Sequence, residues 1–168
     1  MFWYQLCAGL EAGIEGGIHA ISELVKQHEM EEHWGFLLID ARNAFNELSR
    51  YAMLITVRYE WPAGAWFVFN CYKYWSILGI RGKSGQFEFI CSSEGVTQGD
   101  PLAMYAYGVG ILPLIRRLKN NHPSVKQPWY ADDAGAGGKF ADIKRMFEEL
   151  KKIGPPYGYF PEPTKSII

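Results

Sequence analysis

The chain has 168 residues, of which 48% are hydrophobic and 21% charged, and this composition indicates one globular domain rather than a disordered or fibrous protein. Its 17 basic and 18 acidic residues give a net charge of −1, which argues against a polybasic nucleic-acid binder. The sequence has neither an apolar run long enough to span a membrane nor a secretory signal. With three scattered cysteines and no CxxC pair, it predicts an intracellular protein without membrane contact.

In the N-terminal half, apolar spacing predicts an amphipathic helix over 18–28. A short apolar strand follows at 35–40 and ends in the carboxylate of Asp40. Two helices are then expected, one over 43–58 and one over 62–74 that opens on Pro62.

The C-terminal half begins with a predicted hairpin, whose strands 76–80 and 86–91 flank a glycine-containing loop. A long helix over 101–118 should kink at Pro113, because proline donates no backbone hydrogen bond. A second hairpin, 126–140, carries Asp132 and Asp133 at its tip, and a surface helix follows over 141–153. Mixed helices and hairpins predict an α+β fold, with an antiparallel sheet and helices packed on one face.

Charge is distributed unevenly along the chain. Residues 61–87 contain no Asp or Glu, and residues 101–131 contain none either. The first of these stretches intersperses basic with aromatic residues: Lys73, Arg81 and Lys83 with Tyr72, Tyr74 and Trp75. Such a tract fits a phosphate backbone with stacked bases, and the alternative is an apolar core with a solvated rim.

The carboxylates are the candidates for chemistry. Adjacent acids such as Asp132 and Asp133 raise each other's pKa unless a positive group lies between them. Mg²⁺ prefers such oxygen ligands, and a pair of ions about 4 Å apart supports phosphoryl or nucleotidyl transfer. Asp40 could join this site if its strand neighbours the hairpin. A solvated turn for Asp132 and Asp133, and a helix cap for Asp40, are the alternatives.

Four stretches resemble the motifs A, B, C and D of a reverse transcriptase palm, in the order found in non-LTR retrotransposons and related retroelements. They are LLIDARNAFN at 37–46, EGVTQGDPLA at 94–103, YADD at 130–133, and GYF at 158–160 running on to Lys165. The resemblance implies a polymerase palm over 35–168, a residual fingers or palm-entry segment over 1–34, and no thumb. The missing fingers and thumb would belong to a longer polyprotein.

The resemblance also implies site residues and cofactors. Asp40, Asp132 and Asp133 would bind two Mg²⁺ or Mn²⁺ ions and act in catalysis. Lys165 would neutralise or protonate the departing pyrophosphate. Phe45 would block a ribose 2′-hydroxyl. Three residues would support the templating base and the incoming nucleotide: Gly95, Gln98 and Gly99.

The implied function is that of an RNA-directed DNA polymerase, a nucleotidyltransferase that adds dNTPs to a DNA primer on an RNA template. One alternative is an RNA-dependent RNA polymerase palm, against which Phe45 and the YADD sequence argue. Another is a retroelement remnant that only binds nucleic acid, against which the intact carboxylates argue. The short chain leaves independent polymerase activity open.

Overall fold

A computed structural model describes Leu6 and residues 12–168 of the chain, and there it shows a mixture of helices and antiparallel sheets. The elements in chain order are α1 Gly13–Gln27, β1 Trp34–Ile39, α2 Ala44–Glu47, α3 Arg50–Glu60, α4 Pro62–Tyr72, β2 Ser76–Arg81, β3 Phe87–Ser92, α5 Ala103–Gly110, α6 Leu112–Asn121, β4 Trp129–Tyr130, β5 Asp133–Lys139, α7 Phe140–Ile153 and a 3-10 turn Pro155–Tyr157. The α+β prediction is confirmed. Among these helices none is long and apolar enough to cross a membrane.

The main sheet has the strand order β1-β5-β4, and its neighbouring strands are antiparallel. Strand β1 pairs with β5 from Trp34 opposite Lys139 to Ile39 opposite Ala134. The C-terminal tail returns along β1, where the backbone of Leu38 exchanges two hydrogen bonds with Ile167. This pairing brings the tail beside the end of β1.

Helices lie against both faces of the main sheet, so the prediction that they cover one face needs correction. Helix α7 packs on β1 and β5 through the buried residues Ile143, Met146, Leu150 and Ile153. On the other face, a side chain added at Gly137 of β5 would meet Leu24 of α1. The reason lies in the continuous apolar run of β1, because such a strand presents apolar side chains on both faces.

Two predicted helices are each divided in the structure. The helix expected over 43–58 breaks between α2 and α3, where the Ser49 side chain accepts a hydrogen bond from the Ala52 N–H at 3.3 Å. The helix expected over 101–118 breaks at Ile111, and Pro113 lies in the first turn of α6. The discontinuity predicted at Pro113 is therefore present, as a new helix start.

The predicted first hairpin is confirmed as a separate two-stranded sheet of β2 and β3. The buried side chain of Arg50 anchors the end of the hairpin at which β3 ends. The Arg50 guanidinium donates hydrogen bonds to the carbonyl oxygens of Ser92 and Gly95, both at 2.8 Å, and to the Ser92 hydroxyl at 3.0 Å. These bonds fix the hairpin relative to the segment that follows it.

Candidate active site

Three carboxylates lie near one another at one end of the main sheet. Asp40 directly follows β1, Asp132 lies in the turn between β4 and β5, and Asp133 is the first residue of β5. Because Ile39 pairs with Ala134, the same antiparallel register carried one step further sets Asp40 opposite Asp133. Residues far apart in the chain are thus brought together by strand pairing.

The electrostatics agree with this proximity. Burial raises the pKa of Asp132, and the neighbouring carboxylates of Asp133 and Asp40 raise it further. Burial likewise raises the pKa of Asp133, with a second contribution from Asp40. The cluster is therefore a site at which negative charge is costly until a cation compensates it.

Lys165 contributes a positive charge to the cluster. Its ammonium lies 3.4 Å from Asp40 Oδ2, an oxygen that is buried and accepts no hydrogen bond from the described residues. The contact is an ion pair without hydrogen-bond geometry. Lys165 reaches it because the Glu162 N–H donates to the Asp40 carbonyl at 2.8 Å, while the chain turns back through a bond from the Lys165 N–H to the Glu162 carbonyl.

Tyr159 supports the turn that carries Asp132, a role that was not predicted from the sequence. Its hydroxyl donates to the Asp132 backbone carbonyl at 2.9 Å, and its fully buried ring packs edge-on against Trp129 at 5.5 Å between centroids. Burial, followed by the nearby carboxylates, holds the pKa of Tyr159 well above its usual value. The sequence feature that could have identified Tyr159 is its position directly after Gly158 in the fourth motif.

Phe45 lies between the core and the surface. Its ring stacks on buried Tyr107 with centroids 4.8 Å apart, and its backbone carbonyl accepts a 2.7 Å hydrogen bond from Val96. This bond joins α2 to the segment containing Gly95, so Phe45 and the second motif form one connected unit.

The three residues of the second motif have different surroundings. Gly95 is buried, donates to the Leu48 carbonyl at 2.8 Å, and leaves room for the Asn46 carbonyl oxygen, which an added Cβ would approach to 2.4 Å. Gln98 and Gly99 are exposed, and an added Cβ at Gly99 would meet nothing within 4 Å. The close backbone approach at Gly95 is therefore to the chain itself, whereas Gly99 faces open space.

The donors of the carboxylate cluster suit a hard cation. In the described part of the chain, no group of three His, Cys, Asp or Glu side chains forms a ready-made metal site. This arrangement is compatible with Mg²⁺, which usually takes one or two carboxylates and completes its shell with water and substrate phosphates. The buried, unbonded Oδ2 of Asp40 is an available ligand atom.

A half-open cavity of about 390 Å³ adjoins the cluster. It lies between α1 and the main sheet, and its walls are mostly aliphatic, with Ile18 on one side and Leu38 on the other. Asp40, Asp133 and Lys165 also line it, so the carboxylates are accessible from a space of molecular size.

Comparisons with known proteins agree with these observations. No protein-family model matches the chain. The Retrotransposable element SLACS 132 kDa protein of Trypanosoma brucei gambiense is 28% identical over 148 residues, which cover 83% of this chain and 12% of that protein. Telomerase from Candida albicans, in complex with a fragment of telomeric RNA, matches 98% of this chain with a TM-score of 0.71 at 12% identity. Apo telomerase from Candida tropicalis matches 95% with a TM-score of 0.61.

The chain spans about a third of these telomerase chains and about an eighth of the retrotransposon protein. The telomerase matches show a shared fold, and the SLACS match shows a sequence relationship to a retroelement protein. Both findings support the resemblance to a reverse transcriptase-like domain.

Proposed function

We propose that this chain is the catalytic palm of an RNA-directed DNA polymerase, which adds dNTPs to the 3′-hydroxyl of a DNA primer on an RNA template. The observation that carries the proposal is the convergence of Asp40, Asp132 and Asp133 at the ends of paired strands. A relative encoded by a retrotransposable element supports this choice over an RNA-dependent RNA polymerase.

In this mechanism Asp40 and Asp132 would hold the two cations, and Asp133 would add negative charge beside them. When bound there, Mg²⁺ or Mn²⁺ would supply charge compensation for the reacting groups of a phosphoryl transfer. Tyr159 keeps the Asp132 turn in place through its hydrogen bond to the backbone. The strands thereby hold both ligands on a rigid frame, as precise positioning requires.

Lys165 acts on the leaving group. Its ammonium already lies at the carboxylate cluster and is otherwise exposed, so a modest side-chain movement takes it from Asp40 to a phosphate oxygen. There it neutralises or protonates the pyrophosphate. Phe45 opposes a 2′-hydroxyl by steric overlap, and Gln98 and Gly99 contact the nucleotide or template from their exposed positions.

The wider assembly is also part of the proposal. Residues 1–34 belong to the fingers or to the palm entry, and 35–168 form the palm. Fingers and thumb from a longer intracellular polyprotein complete the grip on primer and template, in keeping with the 12% of the SLACS protein that the chain matches.

Primer extension on an RNA template tests the function, using the full chain with Mg²⁺ or Mn²⁺ and radiolabelled dNTPs. Asp132→Asn should lower extension at least 100-fold, because it removes a ligand charge with little change of shape. Asp142→Asn is the matched control, since Asp142 lies on α7 and pairs with Arg145. Extension that survives Asp132→Asn, or that uses rNTPs in preference to dNTPs, would contradict the proposal.

A further inference from the structure

The hairpin of β2 and β3 is exposed on both faces, and the two faces differ in chemistry. Paired residues share a face, so Phe89 opposite Gly79 and Phe87 opposite Arg81 lie together. A side chain added at Gly79 would lie 3.5 Å from Phe89 and 3.6 Å from Phe87, which places both rings on that face. We call Gly79, Arg81, Phe87 and Phe89 the aromatic face. The other face is mainly aliphatic, with Leu78, Ile80, Glu88 and Ile90.

The charge around the aromatic face is positive. Arg81 and Lys83 are exposed and form no ion pair with any residue in 12–168. No acidic residue occurs from 61 to 87, and Glu88 projects from the opposite face. Basic groups without acidic neighbours attract a polyanion more strongly than a neutral surface does.

Further aromatic side chains continue from the hairpin. Tyr74 and Trp75 stand directly before β2 and are 73% and 72% exposed. The Lys73 ammonium lies 5.0 Å from the centre of the Tyr74 ring. Flat rings with cations beside them are the side chains on which single-stranded bases stack.

We propose that the aromatic face binds single-stranded nucleic acid, with bases stacked on Phe87 and Phe89 and phosphates beside Arg81 and Lys83. Gly79 has no side chain, so it does not cover the rings of Phe87 and Phe89 beside it. The uncompensated positive charge favours a nucleic acid over a protein partner, for which the aliphatic face is better suited.

The hairpin is positioned so that a bound strand could serve as template or primer. That assignment of the strand rests on the proposed function. Arg50 ties Ser92, at the end of β3, to the Gly95 carbonyl. The Gly95 N–H in turn donates a hydrogen bond to the Leu48 carbonyl, next to the segment that carries Phe45. A strand bound to the hairpin is therefore held on a frame continuous with the proposed nucleotide site.

Fluorescence anisotropy with labelled single-stranded RNA and DNA 12-mers tests the proposal. Phe89→Ala should raise the Kd about 5- to 100-fold, because it removes a stacking platform. Ile90→Ala is the matched control, since Ile90 is the next residue on the same strand but faces the other way, and its Kd should change less than twofold. Arg81→Ala should lower the slope of log Kd against log salt concentration by about one.

Absence of binding by the native chain, or equal Kd values for Phe89→Ala and Ile90→Ala, would overturn the proposal. So would unchanged RNA binding by Phe89→Ala combined with a loss of self-association in sedimentation, which would make the face a protein interface. The binding assay needs neither dNTPs nor Mg²⁺. A chain that binds through Phe89 but extends no primer therefore contradicts only the polymerase function.

Discussion

Gly95 and Gly99 offer a test that separates a structural glycine from one that faces substrate. Both have backbone angles rare for other residues, with φ of 75° at Gly95 and 93° at Gly99. They differ in their surroundings, because only Gly95 packs against another part of the chain. The substitutions Gly95→Ala and Gly99→Ala should thus be similar in backbone cost and unequal in packing cost.

The expected size of each effect follows from these surroundings. A left-handed backbone costs a residue with a Cβ about 1–2 kcal/mol. For a chain of this length, that lowers Tm by about 2–8 °C, the effect expected of Gly99→Ala. At Gly95 the new methyl would lie 2.4 Å from the Asn46 carbonyl oxygen, and relieving that overlap adds about 1–3 kcal/mol. Gly95→Ala should therefore lower Tm by about 4–20 °C.

Thermal unfolding followed by circular dichroism measures both values, and primer extension well below each Tm measures activity. For Gly95→Ala, lost activity should follow the fraction of folded protein. For Gly99→Ala, activity should fall in protein that remains folded, because the methyl enters space open to a nucleotide. Equal Tm losses, or a larger loss for Gly99→Ala, would refute the assignment of Gly95 to packing.

Three of the remaining predictions concern the site, and a fourth concerns Asp142 on α7. The raised pKa of Asp132 means that the folded state loses stability as pH rises through that pKa, so Asp132→Asn should raise the Tm of the metal-free protein at pH 7 and have less effect at pH 4. Asp142→Asn should instead lower the Tm at pH 7, as measured by calorimetry, because the contact with Arg145 lowers the pKa of Asp142. Tyr159→Phe should lower Tm by about 2–4 °C, for a lost hydrogen bond of about 1 kcal/mol, and reduce kcat more than it changes KM for dNTP; an unchanged kcat would contradict the positioning role. Phe45→Ala should raise rNTP incorporation relative to dNTP about tenfold, or about 1.4 kcal/mol, and an unchanged ratio would place sugar discrimination elsewhere.

The local elements could be predicted where one physical signal dominates. The apolar run of β1 and the two turn-flanked hairpins follow from the sequence, as does α7 with its three- and four-residue apolar spacing. The break between α2 and α3 was missed because apolar periodicity continues across it. Ser49 interrupts the helix by capping α3, a local hydrogen bond that outweighs the pattern.

Long-range contacts set the limit of prediction within the site. The sequence predicted that Asp40 and Asp132 would converge if the strand before Asp40 neighboured the second hairpin, and the pairing of β1 with β5 meets that condition. The hydrogen bond from Tyr159 to Asp132 depends on where the chain after α7 lies relative to the turn between β4 and β5. The hydrogen bonds of Arg50 depend on where β3 ends. Neither follows from local spacing, so both residues looked like ordinary side chains.

The charges of the site give a physical reason for the proposed cation dependence that is independent of family resemblance. Asp132 and Asp133 lie near Asp40, which pairs with the Lys165 ammonium, and a nucleoside triphosphate would bring further negative charge to the same place. Coulomb repulsion in a partly buried site is weakly screened, so nucleotide and carboxylates cannot share the site unless cations lie between them. A nucleotide that bound equally well after removal of divalent ions would therefore have to occupy a site away from Asp40, and the proposed chemistry could not take place.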